Sequence, residues 1–298
     1  MDIMENTSAL VLPRGTENVD VAQGSVFFIG TATVLLCYAG FTILTDPNFL
    51  HQGDHVHLGF GLTATRITNP ALELEQLPPF DLVLLSHMHE DHFDRYVEEH
   101  LDKGTTIVTN PQAAIALRKK GFPMLEPLHT WETLTVTKGE YTLRITALPA
   151  KHGPGIVDSA LPDVMGSMLE FQTRTGKTLL RLYITGDTLL HEQLQEIPQH
   201  YPDIDLALIH LGGTRIFGLL LTMDAEQGIE TIKLINPRKA IPVHYNDYTV
   251  FKSPLADFKA LAAMSGLEDR IHYLTHGETY TFDLATVFNW EEFQCPPC

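Results

Sequence analysis

A layered α/β fold is predicted by three features of the sequence. Ser25–Thr45 is an uncharged run rich in Val, Ile, Phe and Thr and broken by Gly30 and Gly40, a composition that suits strands buried on both faces. Four later apolar runs each end in a His or Asp. From Leu206 onward, apolar strands alternate with helical patterns, as layered α/β proteins require. No charge block, Ser/Gly-rich linker or repeat divides the 298 residues. A single domain over 1–298 is therefore expected, with a flexible N-terminus (1–20) and a flexible C-terminal tail (288–298).

The elements follow in order. Val26–Ile29, Thr33–Tyr38 and Phe41–Thr45 read as strands, the last two joined by a turn at Ala39-Gly40. The uncharged run could span a bilayer by length alone, but its β-branched residues and glycine turn favour a sheet. A Gly- and His-rich loop follows, from His51 to Gly61. Asp81–Ser86 is a short buried strand bounded by Pro78-Pro79, Asp94–His100 a short helix and Thr106–Thr109 a strand. Pro111–Lys119 is a helix, with Asn110 placed to cap it and Pro111 at its first position. Strands are expected at Thr133–Thr137, Tyr141–Leu148, Ser167–Thr173 and Thr178–Thr185, with a turn through Gly176. Leu206–Ile209 and Ala240–Val243 read as strands, Asp224–Ile235 and Pro254–Ala263 as helices, and Ile271–Thr275 as the closing strand.

Composition narrows the function. Lys and Arg total 20 against 37 Asp and Glu, a formal charge of −17, while His reaches 15. Such acidity argues against duplex nucleic acid or anionic lipid as a partner, because both need a basic face. The N-terminus carries Asp2 and Glu5 and lacks the pattern of a signal peptide. Three cysteines make no disulfide framework and fit a reducing compartment. A cytoplasmic protein without integral membrane association is expected, acting on a small molecule.

The strongest local signal is Ser86-His87-Met88-His89-Glu90-Asp91-His92, directly after a buried strand. His87 and His89 can converge on one ion, and Asp91 and His92 can turn towards a second. Imidazole and carboxylate together suit zinc, with manganese or iron as alternatives. A solvated His-rich loop is the simpler account of two or three histidines; four metal-competent groups in six residues favour a metal. His152 in Pro149-Ala150-Lys151-His152-Gly153, Asp187 in Thr185-Gly186-Asp187-Thr188 and His244 in Pro242-Val243-His244-Tyr245 each sit just past an apolar strand. Loops from neighbouring strand ends gather at one sheet edge. Singly each is weak; jointly, five His and two Asp at strand ends form a pattern.

The HxHxDH run, a strand-end His, Gly-Asp and a late His together resemble the metallo-β-lactamase superfamily in its dinuclear hydrolase form. The resemblance runs from about Gly30 to Gly277. It implies a four-layer αββα sandwich, with His87, His89 and His152 on a first metal, Asp91, His92 and His244 on a second, and Asp187 bridging. Gly30-Thr31-Ala32-Thr33-Val34, Leu44-Thr45-Asp46-Pro47, Thr222-Met223-Asp224 and Pro242-Val243-His244-Tyr245 further resemble the branch containing L-ascorbate-6-phosphate lactonase and N-acylphosphatidylethanolamine phospholipase D. There Asp46 is expected to orient a ligating histidine, against a plain turn role before Pro47. True β-lactamases fit less well, since their second site usually uses a Cys, and Cys37 lies in a strand.

The expected activity is that of a dinuclear-metal hydrolase, two zinc ions holding a bridging hydroxide that cleaves a small ester, lactone or phosphodiester. Asp91 is the expected catalytic residue, shuttling a proton to the leaving group. His210, after Leu206–Ile209, and Tyr245 and Asn246, beside His244, are the candidate substrate contacts. Gly212, Gly213 and Arg215 follow His210 in the same pocket-forming stretch. His51, His55 and His57 could cover the site, and Lys252 could meet an anion. Cys295-Pro-Pro-Cys298 is a single CxxC at the tail, without the second pair that a zinc site would need. A ribonuclease Z-like nuclease is the alternative, opposed by the charge. A non-catalytic metal-binding member of the fold is another, opposed by the presence of all seven ligands. A flavodiiron-type protein would place Glu at position 89 and carry a flavin domain, which this sequence lacks.

Overall fold

The computed structural model describes residues 7–13, 19–58, 61 and 63–283. Its first half contains strands β1 (Thr7–Leu12), β2 (Gln23–Gly30), β3 (Thr33–Tyr38), β4 (Phe41–Thr45), β5 (His55–His57), β6 (Thr63–Thr65), β7 (Leu82–Leu84), β8 (Ile107–Thr109) and β9 (Leu125–Pro127). The second half contains β10 (Thr133–Lys138), β11 (Tyr141–Leu148), β12 (Gly166–Thr173), β13 (Thr178–Ile184), β14 (Leu206–His210), β15 (Arg215–Ile216), β16 (Leu219–Leu220), β17 (Lys239–Val243) and β18 (Thr279–Asp283). The helices are α1 (Arg95–His100), α2 (Pro111–Lys119), α3 (Glu196–His200), α4 (Ala225–Ile235) and α5 (Leu255–Met264).

Two seven-stranded sheets form, in the orders β18-β2-β3-β4-β7-β8-β9 and β1-β10-β11-β12-β13-β14-β17. The alternation of side chains explains how they stack, because successive residues of a strand face opposite ways. Val26, Phe28, Val34, Leu36, Phe41, Ile43, Leu82, Leu84 and Val108 all enter one core with Leu134, Val136, Leu143, Ile145, Met168 and Phe171 of the other sheet. Their neighbours Ile29, Leu35, Leu44, Val83, Leu85 and Ile107 pack instead with Val97 of α1 and Ala114 and Leu117 of α2. Ile197 of α3, Ile229 and Ile232 of α4 and Phe258 of α5 cover the far sheet. The architecture is the expected αββα sandwich. Full burial of each large apolar side chain contributes roughly 1.5–3 kcal/mol, and a core of this extent offsets the several kcal/mol that burying each ionisable group costs.

Strand direction places the site. β4, β7, β8 and β9 pair in parallel, as do β13, β14 and β17, and β11 runs with β13 because each is antiparallel to β12. The C-terminal ends of β4, β7, β11, β13, β14 and β17 therefore lie at one edge of the sandwich. Asp46, His87, His152, Asp187 and His244 follow those ends within four residues, and His210 is itself the last residue of β14.

The uncharged run is β2–β3–β4, and no described helix is long and apolar enough to cross a membrane. The Asn110 side chain caps α2 by accepting the Ala113 N–H at 2.8 Å. Two expectations need correction. Residues 7–12, inside the stretch expected to be flexible, form β1 in parallel with β10, an edge strand anchored by Leu10 and Leu12 against the main core. Ile271–Thr275 is not a strand: Ile271 makes one isolated bridge to Ala240. The sheet closes instead with β18, antiparallel to β2, whose Phe282 is buried against Gly24. The tail at 288–298, with Cys295 and Cys298, lies outside the described residues.

Asp94 ties the HxHxDH loop to its surroundings. It is fully buried, caps α1 by accepting the Val97 N–H at 2.8 Å, and its other oxygen accepts the N–H groups of Phe49 and Leu50. Replacement by Ala orphans three buried donors, each worth about 1 kcal/mol or more. Asp94→Ala is expected to cost about 2–4 kcal/mol in urea denaturation, with Asn recovering part of it; a loss under about 0.5 kcal/mol would contradict the tethering role.

Candidate metal centre

Seven side chains gather at the strand-end edge. His87, Asp91, His92, His152, Asp187 and His244 are buried and His89 is half-buried. They divide into two groups whose donor atoms lie within 4.8 Å of one another: His87, His89 and His152, and Asp91, His92, Asp187 and His244. A third group, Asp46, His92 and His210, shares one member with the second.

Local backbone sets the directions. His244 and Asp46 adopt positive φ, +61° and +35°, a region that side chains other than Gly, Asn and Asp rarely enter. His244 is held there by its N–H to the Thr31 carbonyl at 2.6 Å, and Asp46 by its N–H to Leu84 O at 3.1 Å. Gly212 has φ +100°, and a Cβ there would stand 2.9 Å from the His244 carbonyl oxygen. Only glycine lets that loop pass beneath the ligand.

The hydrogen-bond network assigns the imidazole tautomers. The Nδ1–H of His87 meets Ser86 Oγ at 2.9 Å, that of His152 the Leu221 carbonyl at 3.1 Å, and that of His244 the Leu211 carbonyl at 3.1 Å. His92 Nδ1 faces Asp46 Oδ2 at 3.4 Å. All four therefore present Nε2 lone pairs to the centre, while His89 presents Nδ1. Those nitrogens face one another: His89 Nδ1 is 3.0 Å from both His87 Nε2 and His152 Nε2, and His92 Nε2 is 3.2 Å from His244 Nε2. Two tetrahedral zinc ligands at their usual bond length stand about 3.3 Å apart. Asp91 Oδ1 and Asp187 Oδ1 are buried without a hydrogen-bond partner, and His92 Nε2 lies 3.2 Å from Asp187 Oδ2. Facing lone pairs, with the unpartnered Asp187 oxygen beside them, are what a bound cation resolves. The donor set fits two divalent ions, one per group.

The electrostatics separate the groups. Burial lowers His87 well below its ordinary value, aided by His92, His89 and His152; burial and His152 hold His89 at about 3; burial lowers His152. Burial would lower His92 and His244 too, but Asp187 and Asp91 raise both, with Asp46 adding to His92. Burial would likewise raise the carboxylates, yet the histidines hold Asp46 and Asp91 at about 2 and Asp187 well below its usual range. The three acids are thus anions at neutral pH.

The structure gathers the seven expected ligands and Asp46 but not every expected substrate contact. Tyr245 is buried with its hydroxyl donating to the Leu274 carbonyl at 2.6 Å, so the strand-end backbone aims it into the core. Asn246 is exposed, and its Oδ1 accepts the Leu255 N–H at 3.3 Å, at the start of α5. His210 is buried and faces Asp46 and Thr185 rather than an open cleft. His51 and His55 bond Glu73 and Thr65 on the surface, Arg215 pairs with Asp224, and Lys252 donates to Thr249 O. Ser86 and the carbonyls of Leu211 and Leu221 were not anticipated. A carbonyl has no sequence signature; Ser86, adjoining His87, could have been found as a hydroxyl within reach of its Nδ1.

Comparison with known proteins agrees with this geometry. Residues 42–245 match the beta-lactamase superfamily domain model. A UPF0173 metal-dependent hydrolase of Nanoarchaeum equitans is 27% identical over 195 residues, covering 65% of this chain and 83% of that protein. One from Natranaerobius thermophilus is 30% identical over 177 residues, covering 59% of this chain and 70% of that protein. Among solved structures, an isothiocyanate hydrolase from Delia radicum gut bacteria superposes with a TM-score of 0.72 at 21% identity, covering 87% of this chain and 99% of that one.

Metal uptake should follow the charge asymmetry. Ligating imidazoles must be neutral at the bonding nitrogen. His87, His89 and His152, all lowered by burial, have fewer protons to shed, so the first equivalent should bind with the weaker pH dependence. The raised His92 and His244 must shed protons, so the second equivalent should tighten as pH rises and release protons on binding. Calorimetric titration in buffers of different ionisation enthalpy measures both; proton release confined to the first equivalent would contradict the assignment.

Proposed function

The chain belongs to the beta-lactamase superfamily and, within it, to the UPF0173 metal-dependent hydrolases, and from that membership we propose a dinuclear hydrolase that cleaves a small ester, lactone or phosphodiester. The observation that carries this reading is the pair of facing nitrogen clusters, whose remaining imidazole hydrogens are committed elsewhere. His87, His89 and His152 would hold one ion and Asp91, His92 and His244 the other. Asp187 would bridge, since its charge acts on His87 and His152 of one group and on His92 and His244 of the other. Nitrogen and carboxylate donors without thiolate suit zinc, with manganese or iron as alternatives.

Such ions, when bound, acidify water to a nucleophile near neutral pH and polarise the electrophile's oxygen. The protein's own contributions are orientation and proton handling. Ser86, Asp46, Leu211 and Leu221 fix four imidazole planes. Asp91, ionised at neutral pH, offers Oδ1 as the atom that accepts a proton and returns it to the leaving group, while Oδ2 stays 3.4 Å from His244 Nε2. The half-buried His89 marks the side open to substrate. The branch resembling L-ascorbate-6-phosphate lactonase and N-acylphosphatidylethanolamine phospholipase D supplies the ester and phosphodiester classes. The charge of −17 favours a small substrate over a nucleic acid and accompanies a cytoplasmic reading.

Elemental analysis of protein purified without added metal is expected to give close to two equivalents. Turnover is expected on a panel of lactones and bis-p-nitrophenyl phosphate, with nitrocefin poorer. Asp91→Asn should lose about 10²–10⁴-fold in kcat; unchanged metal content together with full turnover would exclude the shuttle. Activity indifferent to His87→Ala, or protein that retains no metal, would sink the hydrolase centre.

A further inference from the structure

We propose that His210 is a positioning residue for the second ligand group, acting through Asp46 to hold the His92 imidazole in its ligating orientation. The proposal rests on the dinuclear reading above and gives His210 a role outside substrate contact.

His210 ends β14, between β13 and β17 in the sheet, and is buried. Its backbone N–H donates to Thr185 Oγ1 at 2.9 Å, and the Thr185 hydroxyl returns its hydrogen to His210 Nδ1 at 3.2 Å. With Nδ1 used as an acceptor, the ring hydrogen of the neutral imidazole sits on Nε2. That nitrogen faces Asp46 Oδ2 at 3.4 Å. The same oxygen is 3.4 Å from His92 Nδ1, and the other oxygen of the carboxylate accepts the Ser86 N–H at 2.7 Å. The His92 and His210 rings lie nearly parallel, 15° apart with centroids 6.0 Å from each other, and each brings one ring nitrogen within 3.4 Å of the same carboxylate oxygen, the one group within reach of His210 Nε2, which has no closer hydrogen-bond partner. Thr185 begins the Thr185-Gly186-Asp187 turn. His210 thereby links the strand end that delivers Asp187 to the carboxylate that orients His92.

The three groups could instead be a third metal site. His92 would then have to lose the hydrogen on Nδ1 while Nε2 serves the second group, and only three donors would surround the ion. The ion-pair arrangement asks neither imidazole to give up a ring hydrogen. Partners of ligating histidines typically govern 10–100-fold in metal affinity.

The test uses the full-length protein titrated with Co²⁺. His210→Phe fills the space without a donor, and His210→Gln restores an amide N–H within reach of Asp46. Phe is expected to weaken the second equivalent about 10–100-fold, leave the first unchanged, alter the second-site d–d bands, and lower kcat with KM nearly constant. Gln is expected to recover most of each effect. Two wild-type affinities and spectra in the Phe variant would overturn the proposal, as would Gln behaving like Phe, or loss of a third metal equivalent. A wild-type protein taking up one equivalent would defeat the dinuclear reading alone. His210 is then judged on the downfield Nδ1–H proton of His92 in NMR, identified by its absence in His92→Gln. Its loss in Phe and retention in Gln support positioning; its persistence unchanged in Phe refutes it.

Discussion

Everything at the metal edge depends on strand direction. Six strands from two sheets, β4, β7, β11, β13, β14 and β17, end on the same side of the sandwich, so residues separated by more than 150 positions, such as His92 and His244, come within 3.2 Å. The parallel pairings need long crossovers, and helices supply them while covering the outer faces. The apolar alternation that builds the core thus also decides where the polar residues go. A one-residue slip in β7 would exchange Leu84 with Leu85 between the two core layers and turn the chain leading to His87 the other way.

The centre is a concentration of opposing electrostatic demands. Burial alone disfavours every charged form present, and the observed directions come from mutual pairing: the acids next to His92 and His244 stay ionised, while the His87, His89 and His152 cluster stays neutral. In one group burial prevails and lowers the imidazoles, and in the other the carboxylates prevail and raise them. Asp187, which follows β13, sits with the second group, and its charge also acts on His87 and His152 of the first.

Much of this was legible in the sequence, for identifiable reasons. Strands with dense or alternating apolar patterns, such as Thr33–Tyr38 and Tyr141–Leu148, and helices with explicit caps, such as Asn110-Pro111, are local signals, and they fall where expected. The metal-competent side chains at strand ends were legible because imidazoles and carboxylates stand out after apolar runs. Long-range pairings were not: β1 joins β10 across 120 residues of chain on the strength of two half-buried leucines, and the alternation in Tyr280 and Phe282 gains meaning only once Gly24 makes room. Tyr245 and Asn246 adjoin His244 in sequence, but their side chains bond Leu274 and Leu255, because His244 sits at positive φ and the chain turns sharply there. Adjacency in the chain carries no orientation at such a corner.

The four tethered imidazoles differ in what holds them. His152 and His244 lean on main-chain carbonyls, of Leu221 and Leu211, whereas His87 and His92 lean on the side chains of Ser86 and Asp46. A carbonyl is common to all twenty amino acids, so the codons for positions 211 and 221 can drift without erasing those two tethers. Positions 46 and 86 have no such freedom. The genetic fragility of these four tethers is thus lopsided, concentrated on the two that stand beside β4 and β7.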